Sequence, residues 1–363
     1  MTVPVTASLF RDDVPLIDVR AEVEFVDGAF PGAVNLPILT NAEREQVGIC
    51  YKKKGPQAAE ALGHELVKGT VKDTRIGAWL AFLDQHPQAH LYCFRGGQRS
   101  AIAEGWLAEA GVEIPRIEGG YKAMRRFLID SFDALPSLVL IAGKTGVGKT
   151  QILDRLPASA IVDLEGRANH RGSAFGKRLT PQPTQINFEN EIAIDFLKSG
   201  ARVFLEDESR LIGSANLPIP LQEAMKQAPI LLLEDALDQR VERIYQEYVG
   251  DALAELTSQL GDSEAACNAL YDNLSGSLEA IKRRLGGVRH QHISGSMREA
   301  FGAPNEADAS VLHHVWIEKL LLHYYDPMYE YQINQKADRI VARGPADLLV
   351  QRAHGLLDEH DIH

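Results

Sequence analysis

Short apolar runs alternate with segments of helical spacing along the first 130 residues. Leu16-Ile17-Asp18-Val19, Ala33-Val34-Asn35-Leu36 and Leu91-Tyr92-Cys93 read as buried strands that end in polar turns. Between them, Pro56 to Lys68 and Arg99 to Ala110 carry apolar residues at helical spacing, the second run stopping at Gly111. Such alternation predicts a parallel sheet. A second unit starts near Pro136. Leu138 to Ala142 (LVLIA) is the continuous apolar run of a central parallel strand. Ile161 to Leu164, Val203 to Glu206 and Ile230 to Leu233 are expected to be further buried strands. From about 236 to 325 the pattern turns helical, with Val241, Ile244 and Tyr248, then Leu270, Leu274, Leu278, Ile281 and Leu285, at helical spacing. Asp326-Pro327 is expected to end the last of these helices, and Arg339 to Val341 to form a late strand. The expected class is α/β, with one domain over 1–133, a boundary within Asp130 to Pro136, and a second over 134–363.

Composition narrows this picture. The 363 residues are 45% hydrophobic and 24% charged, as in an ordinary globular protein, and large enough for two cores. No apolar run reaches about 18 residues, so no membrane span is expected. The N-terminus lacks a basic start followed by an apolar stretch, which argues against a secretory signal. Cys50, Cys93 and Cys267 are too few for a disulfide framework or a zinc site, and the cytoplasm is the expected compartment. The net charge of −12 excludes a chain coated in base for nucleic acid, though not a local basic patch.

Candidate chemistry gathers first around Cys93. The run Cys93-Phe94-Arg95-Gly96-Gly97-Gln98-Arg99-Ser100 joins a strand to a helix. Two glycines let successive N–H groups converge, and the helix N-terminus with Arg95 and Arg99 adds positive potential. A lone cysteine at a strand end is more often a small buried residue. The glycines and arginines at fixed offsets reverse that, making Cys93 the candidate nucleophile, its thiolate favoured, and Phe94, Arg95, Gly96, Gly97, Gln98 and Arg99 an anion loop. Cys50 reads as structural or as a second thiol, and Lys52-Lys53-Lys54 as a solvated face or a phosphate-backbone contact.

The second centre is Gly143-Lys144-Thr145-Gly146-Val147-Gly148-Lys149-Thr150, a complete P-loop between an apolar strand and a helix. Its amides would hold phosphate oxygens, Lys149 would reach the terminal phosphate, and Thr150 would hold magnesium, the one cofactor suggested. Glu206 and Asp207, at the end of a later strand, are second-site acids able to organise magnesium or water, or simply a polar strand end. The motif implies a phosphate or diphosphate without specifying ATP.

Asp18-Val19-Arg20, Glu24-Phe25 and the run Gly28 to Pro37 (GAFPGAVNLP), with Glu118-Gly119-Gly120, resemble the opening and closing motifs of rhodanese domains. The interval from Cys93 to Arg99 is one residue longer than in ordinary single-domain rhodaneses and resembles that of the cell-cycle dual-specificity phosphatases. The stretches Leu164 to Gly176 (LEGRANHRGSAFG), Gln182 to Asn190 and Glu206 to Gly213 are similar to those of the bacterial tRNA 2-selenouridine synthases. The resemblance runs from Ile17 to about Gly344, and Asn169 to Ser173 is its most specific part. It implies an N-terminal rhodanese-like parallel-sheet domain followed by a P-loop NTPase-like α/β domain with a helical segment. It also implies a tRNA-modifying transferase that converts 5-substituted 2-thiouridine at the wobble position to 2-selenouridine. Geranyl diphosphate would first alkylate the sulfur, and selenium from selenophosphate would then replace the geranylated sulfur. The family's essential cysteine falls on Cys93 and its P-loop on Gly143 to Thr150.

Expected partners are tRNA, both co-substrates and a selenophosphate synthetase, with no membrane and no metal-ligand cluster. Arg167, Asn169, His170, Arg171 and Ser173 are candidate substrate contacts, with His170 as general acid or base or a structural hydrogen bond. Lys177 and Arg178 extend this basic cluster, and Arg283, Arg284, Arg289, His290 and His292 form another. Tyr245, Tyr248, Tyr324 and Tyr325 read as core or as stacking platforms for a base. Two other readings stand. One is a P-loop kinase or NTPase with a phosphatase-like rhodanese regulatory domain; the other is a tRNA-binding adaptor without catalysis.

Overall fold

In a computed structural model, residues 1–359 are described, and the chain forms two units. One comprises Met1–Ala134 with Thr184–Lys198, the other Leu135–Pro183 with the chain from Ser199 on.

The first unit is built on five short parallel strands, β1 (Thr2–Val3), β2 (Leu16–Asp18), β3 (Ala33–Asn35), β4 (His90–Tyr92) and β5 (Arg116–Ile117). Their order is β1-β5-β4-β2-β3. Ile17, Leu91 and Ile117 are wholly buried, which is why these strands read as apolar runs rather than alternating ones. The chain leaves β2 towards β3 and β4 towards β5, so neighbouring β2 and β4 diverge at their carboxyl ends, where open α/β sheets place ligands. Helices Pro56–Leu66 and Gln98–Glu109 lie where the spacing predicts them. Helix Asn41–Lys54 escapes the periodicity because none of its residues is buried; its start is fixed by Thr40, which accepts from the N–H of Glu43 and forms a capping box with it.

Helix Gln185–Lys198 also packs in this unit, unlike the contiguous division at 133/134 that the sequence suggests. Its buried Phe188, Ile192 and Phe196 account for the packing. Asn190 Nδ2 donates to Ala29 O at 2.7 Å, and Ala29 N donates to Asn187 Oδ1 at 2.8 Å.

The second unit has a four-stranded parallel sheet made from β6 (Ser137–Gly143), β7 (Arg202–Glu206), β10 (Ile230–Leu233) and β11 (Ile340–Gly344) in the order β11-β10-β6-β7, plus a separate hairpin of β8 (Leu211–Ile212) and β9 (Ala215–Asn216). The expected strand at Ile161 to Leu164 is a single bridge from Ile161 to Phe204. Asp163 then caps a short helix, Leu164–Arg167, accepting from Gly166 N. The helical portion packs around Leu270, Leu274, Leu278, Ile281, Trp316 and Tyr325. Asp326-Pro327 does not end a helix: the chain stays helical from Glu306 to Asn334, passing through a π-turn at Leu321–Tyr325 that accommodates the proline after it, whose ring and missing N–H disturb the regular ladder. No helix among the described residues is long and apolar enough to cross a membrane.

Candidate functional site

Cys93 follows the end of β4, and the loop after it is held from outside. Tyr121 N donates to Cys93 O at 2.8 Å and Lys122 N to Phe94 O at 3.0 Å, turning these carbonyls away from the loop interior. Among the described residues no acceptor takes the N–H groups of Arg95, Gly96, Gly97, Gln98 and Arg99. Five successive unpaired amides at a helix start have the chemistry that suits an anion. The packing tolerates no side chain at Gly120, where a Cβ would meet Cys93 O at 2.2 Å and the φ is +57°. The Cys93 Sγ lies 3.2 Å from Ser100 Oγ, and the residue is 3% exposed. Cys93 therefore meets polar loop atoms through its sulfur while belonging to the apolar core cluster of this unit.

The two arginines of the loop differ. Arg95 is exposed. Arg99 is held by both oxygens of Glu24, which also pairs with Arg44. Burial opposes the Glu24 charge, but Arg99 outweighs it and keeps the carboxyl below its ordinary range. Arg99 thus enters the site largely neutralised. The Asp18-Val19-Arg20 motif is a brace. Arg20 Nε donates to Asp18 Oδ2 at 2.8 Å and Arg20 Nη2 to Gly28 O at 2.7 Å, and its guanidinium carbon lies 3.9 Å from the Tyr121 ring centroid.

The P-loop is built in the same manner. Arg240 Nε donates to Thr145 O at 2.9 Å and Arg243 donates to Gly146 O, so these carbonyls face outward. The N–H groups of Gly146, Gly148 and Lys149 donate to no described acceptor. The adjoining cavity, about 260 Å³, is lined by Gly146, Gly148, Lys149, Thr150, Glu165, Arg171, Ser173, Arg178, Glu206, Tyr248 and Tyr329, among others. Lys149 is half-buried; loss of water opposes its charge, but Tyr329 and the nearby glutamates hold the ammonium charged. Arg240 is tied to Asp326 within the protein, Nη1 to Oδ2 at 3.0 Å. Arg240→Met is expected to cost about 3–5 kcal/mol by stranding Asp326, read as a lowered urea midpoint, and to loosen the loop.

Carboxylate oxygens of Glu165, Glu206 and Glu208 lie within 4.8 Å of one another beside the P-loop, a convergence the sequence reading did not expect. Thr150 Oγ1 donates to Glu206 Oε1 at 2.6 Å, while Glu206 Oε2 is buried without a partner. A Cβ at Gly172 would meet Glu208 at 2.4 Å and Glu165 at 2.6 Å, so that loop runs directly over the acids. Of the two second-site acids expected, Glu206 is at the site. Asp207 is not: it points to the opposite side and is held by Lys336 Nζ at 2.6 and 2.8 Å. Alternation along an extended chain puts residues i and i+2 on one face, so Glu208 was the companion to choose.

Burial, reinforced by Glu165, pushes the Glu206 carboxyl up to about 8. Burial likewise raises both members of the Glu165–Glu208 pair. A carboxyl whose pKa is raised by folding stabilises the folded state below its unfolded pKa and loses that contribution as pH climbs through its folded pKa. Stability is therefore expected to fall between about pH 5 and 8. At about 1.4 kcal/mol per unit, Glu206→Gln should remove about 2–4 kcal/mol of that slope, read as a higher melting temperature than wild type at pH 9.

The candidate substrate contacts separate. Arg171 and Ser173 line the cavity, with Arg171 5.0 Å from the Tyr248 ring centroid and Ser173 Oγ 3.2 Å from Tyr248 Oη. Asn169 is a structural tie, donating to Thr180 O at 3.0 Å and Thr180 Oγ1 at 2.8 Å from a backbone with φ +49°. His170 lies against the β8–β9 turn and lines neither this cavity nor its neighbour; burial and Arg178 lower its pKa. Arg167 ends the short helix after Asp163. Of the tyrosines, Tyr325 is core, Tyr245 and Tyr324 pack against it, and Tyr248 lines the site. Arg283, Arg284, Arg289 and His292 are exposed, while His290 pairs with Glu279 at 3.0 Å. Lys52, Lys53 and Lys54 are exposed at the end of helix Asn41–Lys54, where positive charge suits the helix dipole.

Comparison with known proteins agrees with this layout. The rhodanese-like domain family matches residues 5–126, and the tRNA 2-selenouridine synthase AAA domain matches residues 136–356. The tRNA 2-selenouridine synthase of Pseudomonas putida is 50% identical over 346 residues, covering 93% of each chain. That of Pseudomonas fluorescens is 50% identical over 361 residues, covering 97% of each. That of Pseudomonas syringae pv. syringae is 50% identical over 344 residues, covering 93% of each. With this similarity running through both units, the chain belongs to the tRNA 2-selenouridine synthase family.

Proposed function

We propose that this enzyme converts 5-substituted 2-thiouridine at the wobble position of tRNA to 2-selenouridine in two steps, one at each cradle. The observation that carries the reading is the pair of runs of unpaired amides, one beside a thiol and the other around a lysine held charged by its neighbours. In the first step the base sulfur attacks C1 of geranyl diphosphate; the S–C bond forms, the C–O bond breaks and diphosphate departs. Lys149 and the P-loop amides stabilise the charge growing on that leaving group. Magnesium fits the same place, held by Thr150 and Glu206, whose buried Oε2 lacks a partner; it would offset the diphosphate charge. Arg171 and Ser173 bound the cavity on the side of Tyr248, a platform for the base.

Alkylation makes C2 more electrophilic and turns the sulfur into a better leaving group. In the second step the loop after Cys93 holds selenophosphate by its amides, and Cys93 serves the transfer. The selenium adds at C2, geranyl thiol leaves, and water releases phosphate from selenium. The decisive experiment is mass analysis of tRNA nucleosides after incubation with geranyl diphosphate, then with selenophosphate. S-geranyl-2-thiouridine followed by 2-selenouridine is the expected result. Unchanged 2-thiouridine alongside ATP hydrolysis would replace this reading by that of a P-loop NTPase.

A further inference from the structure

We propose that the cavity beside the cysteine loop is an alkyl pocket, which seats the hydrocarbon carried on the substrate's sulfur while Cys93 acts. This inference rests on the function proposed above. The cavity, about 120 Å³, lies wholly within the first unit. Ile38, Leu39, Val67, Ile102 and Trp106 line it, together with Gln98 and Arg99 of the cysteine loop. Ile38, Leu39, Val67 and Trp106 also belong to the cluster that packs around Cys93. Cys93 belongs to that cluster without lining the cavity itself, and Gln98 and Arg99 join the cavity to its loop.

Size and chemistry select the occupant. A dry apolar cavity of roughly 150 Å³ is enough for benzene, so this one takes about one five-carbon isoprene unit. Protein interiors are close-packed, and unfilled apolar space costs stability in proportion to its volume. Room of this kind beside a reactive loop is explained when a ligand fills it. Tyr51 also lines the cavity and is 59% exposed, as a ring covering the rest of a ten-carbon chain would be. A pyrimidine would be poorly served there, because most of the lining offers no hydrogen bond.

The pocket also orders the reaction. When C2 faces Cys93, the alkyl chain leaves from the adjacent sulfur and needs an apolar seat. Unalkylated 2-thiouridine brings nothing to fill it. Burying about five carbons favours the alkylated substrate by about two to three orders of magnitude. Selenium transfer thus waits for alkylation because the pocket recognises its product.

The test uses the full chain and anticodon stem-loop RNA carrying S-methyl-, S-geranyl- or S-farnesyl-2-thiouridine. Turnover with selenophosphate is measured alongside binding of the three modified nucleosides, followed by tryptophan emission. The wild type is expected to prefer the S-geranyl substrate by at least thirtyfold in kcat/KM. Ala59→Phe, which fills the cavity from the helix Pro56–Leu66, should cut that preference at least tenfold, through KM. Ile102→Ala, which enlarges it, should shift preference towards S-farnesyl and serves if the first variant fails to fold. Equal turnover of S-methyl and S-geranyl substrates by the wild type, or a preference unmoved in either folded variant, overturns the pocket and leaves the two-step reading standing. Geranyl-selective nucleoside binding that Ile102→Ala shifts towards farnesyl, with no 2-selenouridine formed from any substrate, supports the pocket and overturns the two-step reading.

Discussion

Replacing Cys93 by serine is expected to stop selenium transfer while leaving alkylation intact, so that S-geranyl-2-thiouridine accumulates in tRNA. Serine is nearly isosteric, and Ser100 Oγ, 3.2 Å from the sulfur, can hydrogen-bond a hydroxyl as well as a thiol. The loop is held by Tyr121 N, Lys122 N and the close approach of Gly120, none of which touches Sγ. The cradle should thus survive and only the sulfur chemistry disappear. The expected loss in 2-selenouridine formation is about a hundredfold to a thousandfold, the scale on which enzymes lose rate when a group acting only in the transition state is removed. The measurement is nucleoside mass analysis with RNA that already carries the geranyl group. A serine variant that forms 2-selenouridine at an appreciable rate would remove Cys93 from the reaction.

The complementary variant is Lys149→Ala. Three carboxyl groups converge beside the P-loop, and Lys149 is the cation among them. Without it the charge growing on a departing diphosphate would meet the carboxyls of Glu165, Glu206 and Glu208 and no ammonium group. Geranylation should fall by about a hundredfold to a thousandfold, the magnitude for losing one donor to a developing oxyanion. RNA supplied already geranylated should still be selenated, because Cys93 and its cradle lie in the other unit. Lys144→Ala is the control: Lys144 Nζ is held 2.7 Å from Glu330 and does not line the phosphate cavity, so its loss should be mild. Normal geranylation by the Lys149 variant would disconnect the P-loop from the prenyl donor.

Strands β2, β4, β6, β7 and β10 were legible because burial on both faces leaves continuous apolar runs. So were the two glycine loops, since each needs an unusual backbone that few residues other than glycine allow. Other features were illegible for physical reasons. Ile161 to Leu164 is apolar because it lies against Phe204, not because it forms a strand, and Asp163 marked a helix start instead. Arg240, Arg243 and Asp326 shape the P-loop from positions about 95 to 180 residues away, a long-range relation that no periodicity carries. Glu208 was within reach, two residues from Glu206 on an extended chain. The pocket beside Cys93 is a property of packing between helices and had no signature of its own.

Helix Gln185–Lys198 departs from the second unit's stretch of sequence and returns to it. A protein cut at residue 134 would therefore not yield two whole pieces. The first would expose the surface that Phe188, Ile192 and Phe196 cover, and the second would carry those side chains with nothing to rest on. A division that kept each unit whole would have to carry Thr184–Lys198 along with the first unit, as an excursion cut out of the second.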